Sequence, residues 1–132
     1  MAKKGNRRSR TERFIALPFS VLGTPAWQAL SGNAVKVLIE LIKLNNGSNN
    51  GGMFLSARQA ADRANLSSNT AAKCLTEIVE AGFVDIVEKG AFSRKTKAAT
   101  TYRLTWHPVG NDVPAKPGLQ RAPTHSYRTR TQ

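Results

Sequence analysis

Residues 54–87 read FLSARQAADRANLSSNTAAKCLTEIVEAGFVDIV. This stretch predicts a short strand, a helix, a tight turn, a second helix and another strand, in that order. Ser56 is the expected N-cap of the first helix, and Ser67 or Ser68 that of the second. Gly82 can adopt the left-handed backbone that ends many helices. We therefore expect the second helix to end at about Ala81.

The two faces of this second helix differ in chemistry. Its apolar residues are spaced as on one buried face, namely Ala71, Leu75, Ile78 and Val79. Cys74 lies beside that face and is expected to be a small core residue. The opposite face is small and polar, and it consists of Ser68, Asn69, Thr70, Ala72, Lys73 and Thr76. The pattern predicts a helix that packs its apolar face against a core and binds a partner through its polar face.

The elements around this stretch can be predicted in the same way. Thr24 and Pro25 are a typical N-cap and first-turn proline, which predict a short helix to Leu30. Ser31 is expected to cap a longer amphipathic helix that ends near Leu44, before the turn-forming residues 45–52, NNGSNNGG. Helix 57–64 is expected to turn its alanines, Ala60, Ala61 and Ala64, inward. Strands are expected at 53–55, 83–88 and 100–106, the last two joined by the basic hairpin KGAFSRKTKAAT.

Charge divides the chain into three parts. Its 132 residues include 20 Lys and Arg against 8 Asp and Glu, a net charge of +12, which attracts polyanions. Residues 1–13 carry six basic side chains against Glu12 alone and predict a flexible basic arm. Residues 107–132 are rich in proline, show no hydrophobic period and predict a disordered tail. We expect one folded domain over residues 14–106.

Several classes of protein are not expected. No apolar run approaches the ~20 residues of a membrane helix. A single cysteine excludes an internal disulfide and a cysteine-based zinc site, and it favours a reducing, cytoplasmic setting. The chain lacks P-loop, HExxH and GxSxG motifs, and both histidines lie in the expected tail. We therefore expect no cofactor, no metal and no enzymatic activity.

The order of elements resembles that of winged helix-turn-helix proteins. Residues 55–90, LSARQAADRANLSSNTAAKCLTEIVEAGFVDIVEKG, are similar to the DNA-binding segments of the GntR and MarR families, with a terminal signature at Leu75, Ile78, Val79, Gly82 and Phe83. The NGSNNGG loop and KGAFS segment also resemble small winged-helix proteins of phages and plasmids of alpha-proteobacteria. The resemblance covers residues 14–106 and implies an α+β fold with a three-helix core and a β-hairpin wing. The effector domain and dimerisation helices of those families are missing, so no small-molecule effector is expected.

This resemblance implies double-stranded DNA as the partner, with the second helix in the major groove. Asn69 could pair with adenine, Thr70 or Thr76 could contact a thymine methyl group, and Lys73 could reach guanine or phosphate. In the alternative interpretation, Ser68 and Asn69 only cap the helix and Lys73 is solvated. The expected DNA contacts are Ser68, Asn69, Thr70, Lys73 and Thr76 on this helix, Arg58 on the preceding one, Lys89, Arg94, Lys95 and Lys97 on the hairpin, and Arg7, Arg8 and Arg10 in the arm.

Four functions remain open from the sequence. The first is a site-specific transcriptional regulator, associated with the nucleoid and acting as a homodimer or cooperative multimer. The second is an accessory DNA-binding protein for replication initiation or recombination of a phage, plasmid or integrative element. The third is an RNA- or ribosome-binding basic protein, and the fourth a protein-interaction adaptor.

Overall fold

The computed structural model describes residues 12–89, 91, 92, 97, 98 and 100–129 of the chain. Within these residues the protein is α+β, with five α-helices, an antiparallel pair of strands with a shorter pair beyond it, and one 3-10 turn. The helices are α1 (Phe19–Leu22), α2 (Pro25–Ala29), α3 (Gly32–Ile42), α4 (Ala57–Ala64) and α5 (Ser68–Glu80), and the 3-10 turn is Ser126–Arg128. The strands are β1 (Val84–Glu88), β2 (Ala91–Phe92), β3 (Lys97–Ala98) and β4 (Thr101–Leu104). None of the helices in this part of the chain is long and apolar enough to cross a membrane.

Helices α2 to α5 begin where their capping residues predict, whereas α1, which follows Pro18 without a side-chain cap, was not predicted from the sequence. The side-chain oxygens of Thr24, Ser31, Ser56 and Ser67 each accept a hydrogen bond from a backbone N–H in the first turn of the following helix. Ser56 and Gln59 also form a reciprocal capping box. Asn65, with φ of 59°, ends α4, and Gly82, with φ of 89°, follows α5. Local capping chemistry therefore sets the bounds of α2 to α5.

The core lies where α3, α4 and α5 pack together. Ala60, Ala61 and Ala64 are buried, and their small side chains let α4 approach its neighbours closely. The predicted inner face of α5 is confirmed, because Ala71, Leu75 and Ile78 are buried and Val79 is partly buried. Cys74 is a buried core residue as expected. This packing fixes which side of α5 remains outside.

The sheet is built on the pairing of β1 with β4. The strands are antiparallel, and Val84 lies opposite Leu104 while Asp85 lies opposite Arg103. The strand expected at residues 53–55 is reduced to a single bridge between Met53 and Tyr102. Beyond a register shift near Glu88, β2 pairs with β3 and extends the hairpin that the sequence predicted.

The expectation of a disordered tail from residue 107 is wrong for residues 107–129. Tyr127 is only 1% exposed, and its ring stacks on that of Phe83 with centroids 5.2 Å apart. Val109 is also buried. The folded unit therefore continues beyond residue 106, and we call residues 107–129 the C-terminal strap.

Backbone carbonyl groups of the strap are held by two buried polar side chains. The amide of Asn50 donates to the carbonyl oxygens of Leu104 (3.1 Å), His107 (3.3 Å) and Pro108 (3.0 Å). The guanidinium group of Arg103 donates to the carbonyl oxygens of His107 (3.1 Å) and Ala122 (3.0 Å), and also to that of Gln120. Burial lowers the pKa of Arg103, and the negative charge of Asp85 partly opposes this effect. The strap is ordered through these polar contacts, so hydrophobic periodicity gave no sign of it.

Candidate nucleic-acid interface

The polar face of α5 lies open to solvent. Ser68, Asn69, Lys73 and Thr76 are exposed, as is the small residue Ala72 between them. Positions 72 and 73 lie three and four residues after position 69, and position 76 lies four and three residues after them, so these side chains share one side of the helix. We call Asn69, Ala72, Lys73 and Thr76 the outer stripe of α5.

The cap of α5 shows which of three predicted contact residues, Ser68, Asn69 and Thr70, is engaged within the protein. Ser67 is the N-cap, and its hydroxyl group donates to the hydroxyl oxygen of Thr70 at 3.0 Å while accepting from the Thr70 N–H at 3.1 Å. Thr70 is therefore half-buried and engaged at the helix start. The side chains of Ser68 and Asn69 make no hydrogen bond to any other residue that the structure describes, so neither of them serves as the cap.

The acidic residues of α5 lie towards its C-terminal end. The first nine residues of the helix, 68–76, contain no carboxylate. The carboxylate of Glu77 accepts hydrogen bonds from the Ser31 N–H (2.8 Å) and the Ser31 hydroxyl group (2.9 Å). Burial raises the pKa of the Cys74 thiol, and the charge of Glu77 adds to the increase. Lys73 and the positive start of the helix dipole therefore dominate the outer stripe.

Helix α4, which packs against α5, carries two exposed cations, of which Arg63 faces the C-terminal end of α3. Arg58 and Arg63 are both exposed, and so is Asp62, the carboxylate that precedes Arg63 in the chain. No ion pair forms between them: among the described residues the ion pairs are Lys43 with Glu40 and Lys116 with Glu88. Both guanidinium groups are thus available to an anionic partner.

The hairpin and the arm are only partly covered by the structure. Lys89 is exposed at the base of the hairpin, and Lys97 belongs to β3. Arg94 and Lys95, and the arm residues Arg7, Arg8 and Arg10, lie outside the described residues. At the hairpin base the carboxylate of Glu88 pairs with Lys116 of the strap, a contact the sequence did not predict. This pairing neutralises an acidic group next to Lys89.

The tryptophans belong to the core. Trp27 packs edge-on against Phe83 with centroids 5.7 Å apart, and Trp106 is buried beside the same ring. Both rings therefore take part in the packing of the core. Neither ring offers the exposed platform that stacking on unpaired bases requires.

No protein-family model, curated protein or solved structure matches the chain. Among the described residues there is also no group of three or more His, Cys, Asp or Glu residues that could hold a metal ion. The assignment of function therefore depends on the chemistry of the exposed faces.

Proposed function

We propose that the chain is a winged helix-turn-helix protein that binds double-stranded DNA at specific sequences, most simply as a transcriptional regulator. The order α3, α4, α5 and then the β1–β4 hairpin supports this fold. The observation that carries the proposal is the outer stripe of α5: it is exposed, small, polar and free of carboxylates, while the other side of the helix is buried. An α-helix of this shape fits the major groove.

In this proposal the outer stripe reads bases. An asparagine such as Asn69 can pair with adenine through two hydrogen bonds, and Lys73 can donate to the acceptors of guanine. The methyl groups of Thr76 and Ala72 can contact that of thymine. Thr70 has a lesser role than the sequence suggested, because its hydroxyl group is engaged by Ser67.

In this proposal, cations outside the stripe hold the phosphate backbone. Arg58 and Arg63 lie on the adjoining helix, Lys89 lies at the hairpin base, and the arm and hairpin tip contribute the remaining basic residues. Phosphate contacts set affinity for every sequence and weaken with salt, whereas each good base contact contributes about 1–3 kcal/mol of discrimination. Strength and selectivity of binding therefore reside in different parts of the molecule.

Selection from a random duplex library tests the proposal. We expect the protein to enrich a defined sequence at ~150 mM salt, and to prefer a duplex of that sequence over structured RNA of equal length. Enrichment of no sequence, or stronger binding to the RNA, would contradict the assignment. A map of bound chromosomal sites then separates a regulator, found at promoters, from an accessory protein found at one origin or attachment site.

A further inference from the structure

A long-range contact joins α5 to the start of α3. Both oxygens of the Glu77 carboxylate are used, one by the Ser31 N–H at 2.8 Å and the other by the Ser31 hydroxyl group at 2.9 Å. The Ser31 oxygen also accepts from the Ala34 N–H at 3.1 Å, because Ser31 is the N-cap of α3. We call this contact between Glu77 and Ser31 the latch.

Apolar packing decides which side of α5 faces the core, and the latch adds directional contacts to that packing. On its inner side α5 meets other helices through apolar side chains, and the hydrophobic effect has no preferred direction. Two charge-assisted hydrogen bonds to one carboxylate do fix a direction, because they weaken steeply when distances or angles change. The negative charge also lies at the positive end of the α3 dipole, which favours it there. The latch therefore resists rotation of α5 about its own axis.

The position of Glu77 links this restraint to the outer stripe. Glu77 directly follows Thr76 and lies one turn beyond Lys73. A small rotation of α5 would displace all residues of the stripe together, and their hydrogen bonds to base edges would be lost. Ser31 also holds the Glu77 carboxylate at the start of α3. The negative charge of Glu77 is thereby held away from the DNA phosphates, which it would repel.

We propose that Glu77 is a positioning residue for DNA reading: by binding Ser31 it sets the rotation of α5 and thereby the register of Asn69, Lys73 and Thr76 on the bases. This inference rests on the proposed function. It predicts that discrimination between sequences, rather than affinity as such, depends on the reach of the side chain at position 77.

Two conservative substitutions at position 77 separate the effect of side-chain length from the effect of charge. Glu77→Asp keeps the charge but is one methylene shorter and cannot make both bonds to Ser31. Glu77→Gln loses the charge but can still accept from the Ser31 N–H and donate to the Ser31 oxygen. Glu40→Asp and Glu40→Gln are the matched controls, because Glu40 is a helical carboxylate of α3 paired with Lys43, outside the latch.

The measurement is the ratio of dissociation constants for the selected duplex and a scrambled duplex, with the unfolding midpoint of each variant recorded. We expect Glu77→Asp to lower the ratio about tenfold, equivalent to ~1.4 kcal/mol, while Glu77→Gln and both Glu40 variants remain near the wild type. An unchanged ratio in Glu77→Asp, or equal losses in both Glu77 variants, would overturn the positioning role. A wild-type protein that does not distinguish the two duplexes would overturn the proposed function as well.

Discussion

Asn69 and Asn33 occupy equivalent positions, since each is the exposed second residue of a helix that begins with a serine N-cap. Only Asn69 belongs to the outer stripe. We expect Asn69→Ala to reduce the preference for the selected duplex by about 1–3 kcal/mol, because a paired base contact is lost. Binding to a scrambled duplex should not change. Asn33→Ala should leave both affinities unchanged. If the two substitutions had equal effects, Asn69 would not contact bases.

Gly110 lies against the backbone of the turn-forming residues 45–52. A β-carbon at position 110 would lie 2.1 Å from the carbonyl oxygen of Ser48, so Gly110→Ala must displace the backbone of one segment. We expect the free energy of unfolding in urea to fall by about 1–3 kcal/mol, as for other overpacked sites. Gly32→Ala is the control, since nothing lies within 4 Å of the added methyl group. This substitution should raise the free energy of unfolding slightly, because alanine restricts the unfolded chain more than glycine does.

The two histidines of the strap predict a dependence of stability on pH. Burial lowers the pKa of both His107 and His125 below the usual value of about 6.5, and the charge of Arg128 lowers that of His125 further. Above that value neither the folded nor the unfolded chain is protonated at these sites. As the pH falls below about 6.5, the histidines of the unfolded chain bind protons while those of the folded chain do not, so the free energy of unfolding decreases. Urea unfolding at pH 7.5 and 5.5 should show this loss, and a variant with both histidines changed to glutamine should show less of it.

At the scale of elements, the strap provides part of the core. Tyr127 is buried against Phe83 and Trp106, so its removal leaves a cavity beside two aromatic rings. We expect Tyr127→Ala to lower the free energy of unfolding by about 3–5 kcal/mol, the range for large aromatic residues in a core. Phe19→Ala is the control, because that ring is 89% exposed and its loss should matter little. Equal unfolding midpoints for the two variants would show that the strap does not stabilise the domain.

Helices α2 to α5 could be predicted from the sequence because their signals are local, whereas α1 has no side-chain cap and was missed. Ser31, Ser56 and Ser67 cap the helices that follow them, and the 3.6-residue period marks the inner face of α5. The strap has no such signal: it is held by Arg103 and Asn50, which bind carbonyl groups, and by one tyrosine. Pro-rich composition indicates disorder only when no distant partner supplies these contacts.

The same distinction applies to the candidate site. The exposed face of α5 follows from the spacing of its apolar residues, and the structure confirms that Asn69 and Lys73 are exposed. The bond between Glu77 and Ser31 spans 46 residues, so no local pattern reports it. The engagement of Thr70 by Ser67 was predictable in principle, because a residue at the third position of a helix faces its N-cap.

For the whole molecule, the arrangement of charge separates strength of binding from selectivity. The folded unit, residues 14–129, carries thirteen basic against seven acidic residues, whereas the much shorter segment 1–13 carries six basic side chains against one acidic. Coulombic attraction to phosphates acts on any sequence and is screened by salt. Without the basic arm, the proposed base-reading helix would then bind more weakly to every sequence.

Removal of residues 1–11 tests this arrangement. The segment carries five basic side chains, Lys3, Lys4, Arg7, Arg8 and Arg10, and its loss should make the log–log dependence of affinity on salt shallower by about 2–4, since each phosphate contact contributes roughly 0.9. The ratio of affinities for selected and scrambled duplexes should persist, because the outer stripe of α5 is intact. A full-length variant with the five basic residues changed to glutamine should behave like the truncated protein, because the effect comes from charge. If the truncation instead abolished discrimination and left the salt dependence unchanged, the arm would be reading sequence and the roles assigned to arm and helix would have to be exchanged.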